Sequence, residues 1–527
     1  MSHDKDTGNS GLASDVVVLT ASKITASLNV ILLFVLLSHT LSVQDYGSFR
    51  QVWLINKGFI LEIFTLGIPV SLFYFLPKLA RGKRKFFVVQ TLLILSSLGI
   101  LVAVTIYLCS GLLSDLFNNP ELERLLKITA AFALFTLPTL GLEGVLVSFG
   151  RTVVFSVYTI VDRLLLLTAV AASVYWFRSI EAICITLVFF GLAELIVSTI
   201  LIRSALRKYP IESRTFNIVE QLRFSLPSGL SNIIGLLNIE LDKVVISSFF
   251  IVSQFAIYAN GAFEVPFLGT VGASVNSVLM PEYVRRHGKG DYHGILHLWH
   301  KAIYKVALVF FPLAVFLFVF SDDVITLLFS DKYLESATIF RIYLFALLPK
   351  VTWYGIILIA LGYSREPFYG SLIALTANLA LNFTLINIIG FTGPAIATVL
   401  TTYLISLYYL HRIRTVFDES WSNIFPWRVL LKIFLVSAIF GLIICQPLAY
   451  FYSGNGVIKL LLGSVIFFIP LYAFFRHLGL VSQADMDRLR EIGWEDTDIF
   501  DAVNHGVTMV STGILFNVFK MHEPCGV

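Results

Sequence analysis

The sequence is poor in cysteine and in charge, and it lacks the signatures of a self-powered or catalytic chain. Its four cysteines, Cys109, Cys184, Cys445 and Cys525, stand far apart, with no CxxC pair and no His/Cys cluster. Neither a disulfide framework nor a metal site is therefore expected, and the cysteines in apolar runs are expected to pack as small hydrophobes. Charged residues make up 14% of the chain, against about 25% in soluble domains. No GxxxxGK[ST] phosphate loop occurs, which excludes a chain that drives itself with ATP by that route. The polar, acidic start "MSHDKDTGNSGLASD" has no basic region and no small-residue cleavage site, so no removable signal peptide is expected. A membrane enzyme would need a catalytic set, usually in a sizeable outer loop. The loops expected there are about 4–15 residues long and contain no histidine. No catalytic residue, cofactor or nucleic-acid partner is expected.

What is present is apolar. The 527 residues are 57% hydrophobic, with 46 Phe and 21 Tyr, and the mean hydropathy is +0.83. This is the composition of an all-α, polytopic membrane protein. About fourteen segments are long enough to cross a bilayer. Six run near 15–39, 48–77, 86–110, 125–149, 152–177 and 180–203. Six more run near 225–250, 254–282, 302–320, 336–361, 367–389 and 392–411, and two extra ones near 428–452 and 456–476. The expected organisation is an N-terminal segment 1–14, a first lobe 15–203, a polar linker 204–224, a second lobe 225–411, the extra pair 412–476 and an amphipathic tail 477–527. Lys and Arg concentrate in "KLARGKRK", "RSALRKYPIESR", "RRHGKG" and "HRIR", all on one side, splitting roughly 21 to 7 between the two sides. That side is expected to be cytoplasmic, in a cell inner membrane, with both termini there as well.

The chain repeats itself with a spacing of 212 residues (258 − 46 = 212, 281 − 69 = 212, 329 − 117 = 212, 362 − 150 = 212). The matched residues are Tyr46 and Tyr258, Pro69 and Pro281, Phe117 and Phe329, Gly150 and Gly362. Two halves of six spans each then share one topology. A parallel repeat of this kind is found in transporters and places a path between the halves.

The start of the second half, "LDKVVISSFFIVSQFAIYANGAFEVPFLGTVGASVNSVLMPEYVRR", resembles the second lobe of polysaccharide flippases of the multidrug/oligosaccharidyl-lipid/polysaccharide exporter superfamily. Asp242-Lys243, Tyr258 and Pro281 fall on the family pattern, although Ala256 stands where a glycine precedes the turn tyrosine. "LSVQDYGSFRQVWLINKGFILEIFTLGIPVSLFYFLPKL" resembles the first-lobe counterpart through Asp45, Tyr46, Gly47, Leu66 and Gly67. The resemblance covers residues 15 to about 476. It implies a two-lobe flippase that works by alternating access on polyprenyl-pyrophosphate-linked oligosaccharides, with spans one, two, seven and eight lining the cavity. It also implies the substrate, membrane lipid, and the polymerase and chain-length regulator of surface polysaccharide synthesis as partners. A flippase for the peptidoglycan lipid precursor and a cation-coupled multidrug antiporter are the alternatives. Residues 493–520 resemble the last helices of carboxymuconolactone decarboxylase-like proteins without their CxxC, so no activity is inferred from them.

Charges inside spans are costly and face cavities or partners. Depth estimates place Lys23 about 12 Å into span one, Lys57 about 15 Å into span two, and Asp162 and Arg163 about 14–15 Å into span five. Lys23, Lys57 and Arg163 are the expected cationic residues for a pyrophosphate. Internal pairing is the competing role, and it is the favoured one for Asp162 and Arg163. Glu264, in span eight, and Asp242, in span seven, are expected to couple or gate. Glu240 and Lys243, three apart on one helical face, are expected to form a structural ion pair. Glu62, Glu143 and Glu194 are expected to serve helix packing or to sit at the interface. Pro138, Pro266 and Pro349 are expected to kink their spans.

Overall fold

A backbone that crosses a bilayer must satisfy its own hydrogen bonds, so apolar runs of this length fold as helices. The computed structural model describes residues 6–60, 63–210, 217–263, 265, 268–452 and 454–480, with backbone only at 6–17, 60, 268, 270–274 and 276–278. Glu62, Glu264, Pro266, residues 211–216 of the expected linker and residues 481–527 of the expected tail lie outside the described residues. No strand occurs among the described residues.

Among the described residues the helices group into fourteen rods in order. They are α1 (Asp6–Thr40), α2 (43–75), α3 (Arg81–Leu116), α4 (Pro120–Ser148), α5 (Thr152–Phe177), α6 (Ile180–Leu206), α7 (Ile218–Phe249) and α8 (252–287). Then come α9 (Tyr292–Val319), α10 (336–360), α11 (Glu366–Ile389), α12 (Gly393–Phe417), α13 (Trp427–Phe451) and α14 (Gly456–His477), with a short helix Ser321–Phe329 before α10. Several rods begin before the apolar run does. α7 starts seven residues earlier than hydropathy indicates (225 − 218 = 7), because the Asn217 side chain caps it by accepting from the Val219 amide at 2.9 Å. α9 is capped likewise by Asp291, which accepts from the Gly294 amide. Capping satisfies orphan amides in water, where hydropathy carries no signal.

Nine helical stretches among the described residues are long and apolar enough to cross a membrane, and they comprise α1, α3–α6, α9 and α11–α14. The four remaining rods depart for physical reasons. α7 is 32 residues long yet too polar, and α2, α8 and α10 are interrupted. In α2 the helix turns into a π-helix at Leu54–Ile60, stops, and restarts at Ile68 behind Leu66 (φ 50°) and Gly67 (φ 70°). Pro138 ends the first piece of α4, and Pro349 lies in a 3-10 turn within α10.

The chain forms two compact units, Met1–Ala259 and Asn260–Val527. In the first, a core of Leu72, Phe75, Phe87, Val145, Leu146 and Ile202 joins the ends of α2, α3, α4 and α6. α7 belongs to this unit and lies against the break in α2. A Cβ on Gly229 would sit 2.4 Å from the Leu66 carbonyl carbon, so only glycine permits that backbone-to-backbone approach. Below it, the Gln221 amide donates to Ser71 Oγ at 2.9 Å and Thr91 Oγ1 at 2.8 Å. In the second unit, Trp299, Tyr354 and Phe425 pack together, and Lys459 of α14 pairs with Asp323 at 2.9 Å.

The repeat extends to the backbone. Positive φ recurs at Asn118 (47°) and Ser330 (76°), at Gly150 (68°) and Gly362 (91°), and at Arg178 (47°) and Gly390 (66°). Each pair is 212 residues apart (330 − 118, 362 − 150, 390 − 178). A residue at positive φ breaks the helical path and turns the chain, so the two halves turn at matched positions even where the residue type differs.

Candidate functional site

The α5–α6 hairpin turns at Arg178, and this sets the site. Asp162 lies sixteen residues before the turn (178 − 162 = 16) and Glu194 sixteen after it (194 − 178 = 16), so antiparallel packing brings their helices level there. Arg163 Nη2 lies 3.1 Å from Glu194 Oε1 and 3.2 Å from Asp162 Oδ2. Tyr158, one turn earlier on α5, and Glu194 both face the Asp162 carboxyl group. Asn29 of α1 donates to the Arg163 carbonyl at 2.6 Å, which ties α1 to the same level. Asp162 and Glu194 are only 6% and 5% exposed. Buried carboxylates demand such a partner, and a single guanidinium nitrogen, Nη2, stands at salt-bridge distance from both, hydrogen-bonding to Glu194.

Lys57 approaches this group from α2. It is the fourth residue of the π-helical turn Leu54–Ile60, a distortion common at functional sites. Asn56 beside it donates to Thr129 Oγ1 of α4 at 3.2 Å, which anchors the turn. The Lys57 ammonium lies 4.9 Å from the Phe132 ring centroid and 5.8 Å from that of Trp53. Glu194, Arg163 and Asp162 are within electrostatic range. Among the described residues, however, no carboxylate stands at salt-bridge distance from Lys57. The guanidinium holds the acids, and the ammonium faces aromatic rings.

The other expected residues fall elsewhere. Lys23 of α1 pairs with Glu143 of α4 at 2.9 Å, with side chains 60% and 31% exposed. On α7, Lys243 Nζ lies 3.0 Å from Glu240 Oε2 and 3.8 Å from Asp242 Oδ1. Asp242 is fully buried, and the Tyr258 hydroxyl of α8 donates to its Oδ2 at 2.9 Å. So Lys57 and Arg163 share one locality, while Asp242, Glu240 and Lys243 share another around Tyr258. Glu264 falls outside the described residues. Reading the sequence for membrane charges alone leaves Asn29 and Tyr158 out of the first group and names Glu194 as a helix-packing or interfacial residue without its partner. Reflection of α5 onto α6 about Arg178 is the signal that recovers Glu194. No such rule recovers Asn29, which sits on a helix remote in sequence.

The described residues contain no group of three or more His, Cys, Asp or Glu able to hold a metal.

This helical architecture is that of known transporters and flippases. A lipid II flippase, MurJ, in an inward closed conformation, is similar over 88% of this chain and 99% of its own, with a TM-score of 0.70 and 17% identity. An inward-facing multidrug resistance MATE family transporter of the MOP superfamily is similar over 75% of this chain and 94% of its own, with a TM-score of 0.58 and 14% identity. A mutant of the Vibrio cholerae MATE transporter VcmN is similar over 79% of this chain and 100% of its own, with a TM-score of 0.52 and 16% identity. At these identities the likeness is one of fold. No curated protein sequence matches the chain. The family profile of polysaccharide biosynthesis proteins does match, over residues 36–338. The chain belongs to that family and is a multi-pass membrane protein of it.

Proposed function

We propose that the protein is a flippase, not an enzyme, that moves polyprenyl-pyrophosphate-linked oligosaccharide units across the cell inner membrane by alternating access, for surface polysaccharide assembly. The observation that carries this reading is Lys57. A pyrophosphate crossing a low-dielectric path needs a cation whose charge is not already claimed. Arg163 is held by two carboxylates, and Lys23 by Glu143. Lys57 keeps its ammonium among rings, on a helix that breaks a few residues later. The departure of α2, α7 and α8 from lipid-grade apolarity supports the same reading, since polar and broken helices belong beside a cavity. Asp242, linked to Tyr258, is the proposed gating or coupling carboxylate.

Deleting the gene in a strain without a redundant flippase should leave lipid-linked glycan on the cytoplasmic leaflet and abolish the surface polymer. Normal surface glycan would sink the reading. Lys57→Ala should lower transport at least tenfold at unchanged expression, and Lys57→Arg should retain part of it. A flippase for the peptidoglycan precursor differs in one outcome: expression of this chain would rescue cells depleted of that flippase. A drug antiporter would need an acidic site free for a cation, and Asp162 and Glu194 are already engaged by Arg163.

A further inference from the structure

The basic run "KLARGKRK" does more than set orientation. A cleft of ≈ 440 Å³ opens beside it, lined in part by Tyr74 and Lys78 at the end of α2, Lys83 of α3, and Asn217 and Glu220 at the start of α7. All of these lie in the first unit. Tyr74 stacks on Phe224 with ring centroids 4.2 Å apart and planes inclined by 21°, so its ring is fixed. Lys78 Nζ sits 3.3 Å from the Tyr74 centroid. A lysine held over a ring has already given up much of the side-chain freedom it would lose on binding.

The basic residues here divide by task. Arg84 donates through Nε to the Leu79 carbonyl at 2.9 Å and closes the turn after α2. Lys78 and Lys83 make no salt bridge among the described residues, not even with Glu220 in the same cleft. Two compact ammonium groups that make no salt bridge among the described residues, one of them pre-positioned, suit a phosphate. The N-terminus of α7, a helix of 32 residues, adds its positive end at Asn217. Glu220 and the Asn217 amide supply hydrogen-bonding partners for neighbouring hydroxyls.

We infer that this cleft docks a phosphate ester flanked by hydroxyl groups, as found in a sugar phosphate or in a glycerol-phosphate lipid headgroup. In its sugar-phosphate form the inference rests on the flippase reading, for which the cleft would be where the substrate's head first settles. The full chain in phosphatidylcholine nanodiscs is titrated at low salt with glucose 1-phosphate and, separately, with short-chain phosphatidylglycerol. Binding of either probe is expected, weakened at least tenfold in the K78Q/K83Q double variant. Tyr74→Leu should weaken it several-fold and Tyr74→Phe should not, because the ring positions Lys78. Arg81→Gln, an exposed neighbour outside the cleft, should bind as wild type. Glucose 1-phosphate binding that phosphatidylglycerol does not displace assigns the site to substrate; binding of phosphatidylglycerol alone assigns it to bilayer lipid. Failure of wild type to bind either probe, or equal affinity in wild type and double variant, overturns the inference. Cleft variants with unchanged affinity beside intact wild-type transport overturn the cleft alone. A cleft that binds in a chain that transports nothing overturns the flippase reading alone.

Discussion

Two ionic groups in the first unit solve the same problem differently. On α5 and α6, Asp162, Arg163 and Glu194 draw their partners from two helices, and Lys57 comes from a third. On α7, Glu240, Asp242 and Lys243 come from one helix, and Asp242 is joined by Tyr258 from the next. The first group depends on tertiary packing: remove Arg163 and the two buried acids lose their compensation. The second is largely local, since an i,i+3 pair forms wherever the helix forms. A charge held by tertiary contacts reports on how the helices stand relative to one another, and one held locally does not. The first group is thus suited to sense substrate through Lys57, whereas in the second Asp242 has its tertiary link through Tyr258 of the next helix.

Arg163→Ala breaks that comparison most severely. It strands two buried carboxylates, a loss on the order of 3–5 kcal/mol, read as a large drop in melting temperature in detergent. Rescue is expected from the triple change that also replaces Asp162 and Glu194 with Asn and Gln. A melting temperature unchanged in the single variant would mean that the acids are not held by Arg163. The next effect lies outside both groups. Gly229→Val places side-chain atoms against the Leu66 backbone, which has no flexible end to yield. Overpacking of this kind costs about 1–3 kcal/mol, and transport should fall further than stability because α7 can no longer lie against the break in α2.

The sequence makes the rods legible and their joints obscure. Apolar length marks each of α1–α14, although α1, α7 and α9 start seven to ten residues before the apolar run, and even the turn positions repeat at 212. The polar helix starts at Asn217 and Asp291 escape, because capping chemistry is local and hydropathy is averaged. The π-turn at Leu54–Ile60 escapes altogether, since one extra residue per turn leaves no mark on composition. Within the site, Lys57, Asp162 and Arg163 stand out as charges in apolar runs, and Glu240 with Lys243 as a helical pair. Their tertiary partners do not stand out. Lys23 with Glu143, and Asn29 with the Arg163 carbonyl, join helices whose contact no spacing rule encodes.

For the local group the expected effect is smaller. Tyr258→Phe removes the donor to Asp242, and Asp242→Asn keeps an acceptor for it but removes the charge near Lys243. Each should cost about 1 kcal/mol, seen as a modest shift in melting temperature. If Asp242 gates or couples, Asp242→Asn should also flatten the pH dependence of transport while expression holds. Transport and its pH profile both unchanged would reduce Asp242 to a packing residue and remove function from the α7 group.

The smallest effect separates Lys23 from Lys57. Lys23 and Glu143 form a pair with side chains 60% and 31% exposed, and exposed pairs contribute about 0–1 kcal/mol. Lys23→Ala should therefore leave the melting temperature nearly unchanged. Lys57→Ala should lower it modestly, because it removes ring contacts of about 0.5–2 kcal/mol but strands no carboxylate, Asp162 and Glu194 keeping Arg163. The two differ in transport: a lysine already matched by Glu143 has little charge to offer a pyrophosphate, whereas one matched only by rings keeps it. Equal transport losses in the two variants would show that pairing with Glu143 does not withhold Lys23 from the substrate, and the distinction drawn between compensated and uncompensated cations would fall with it.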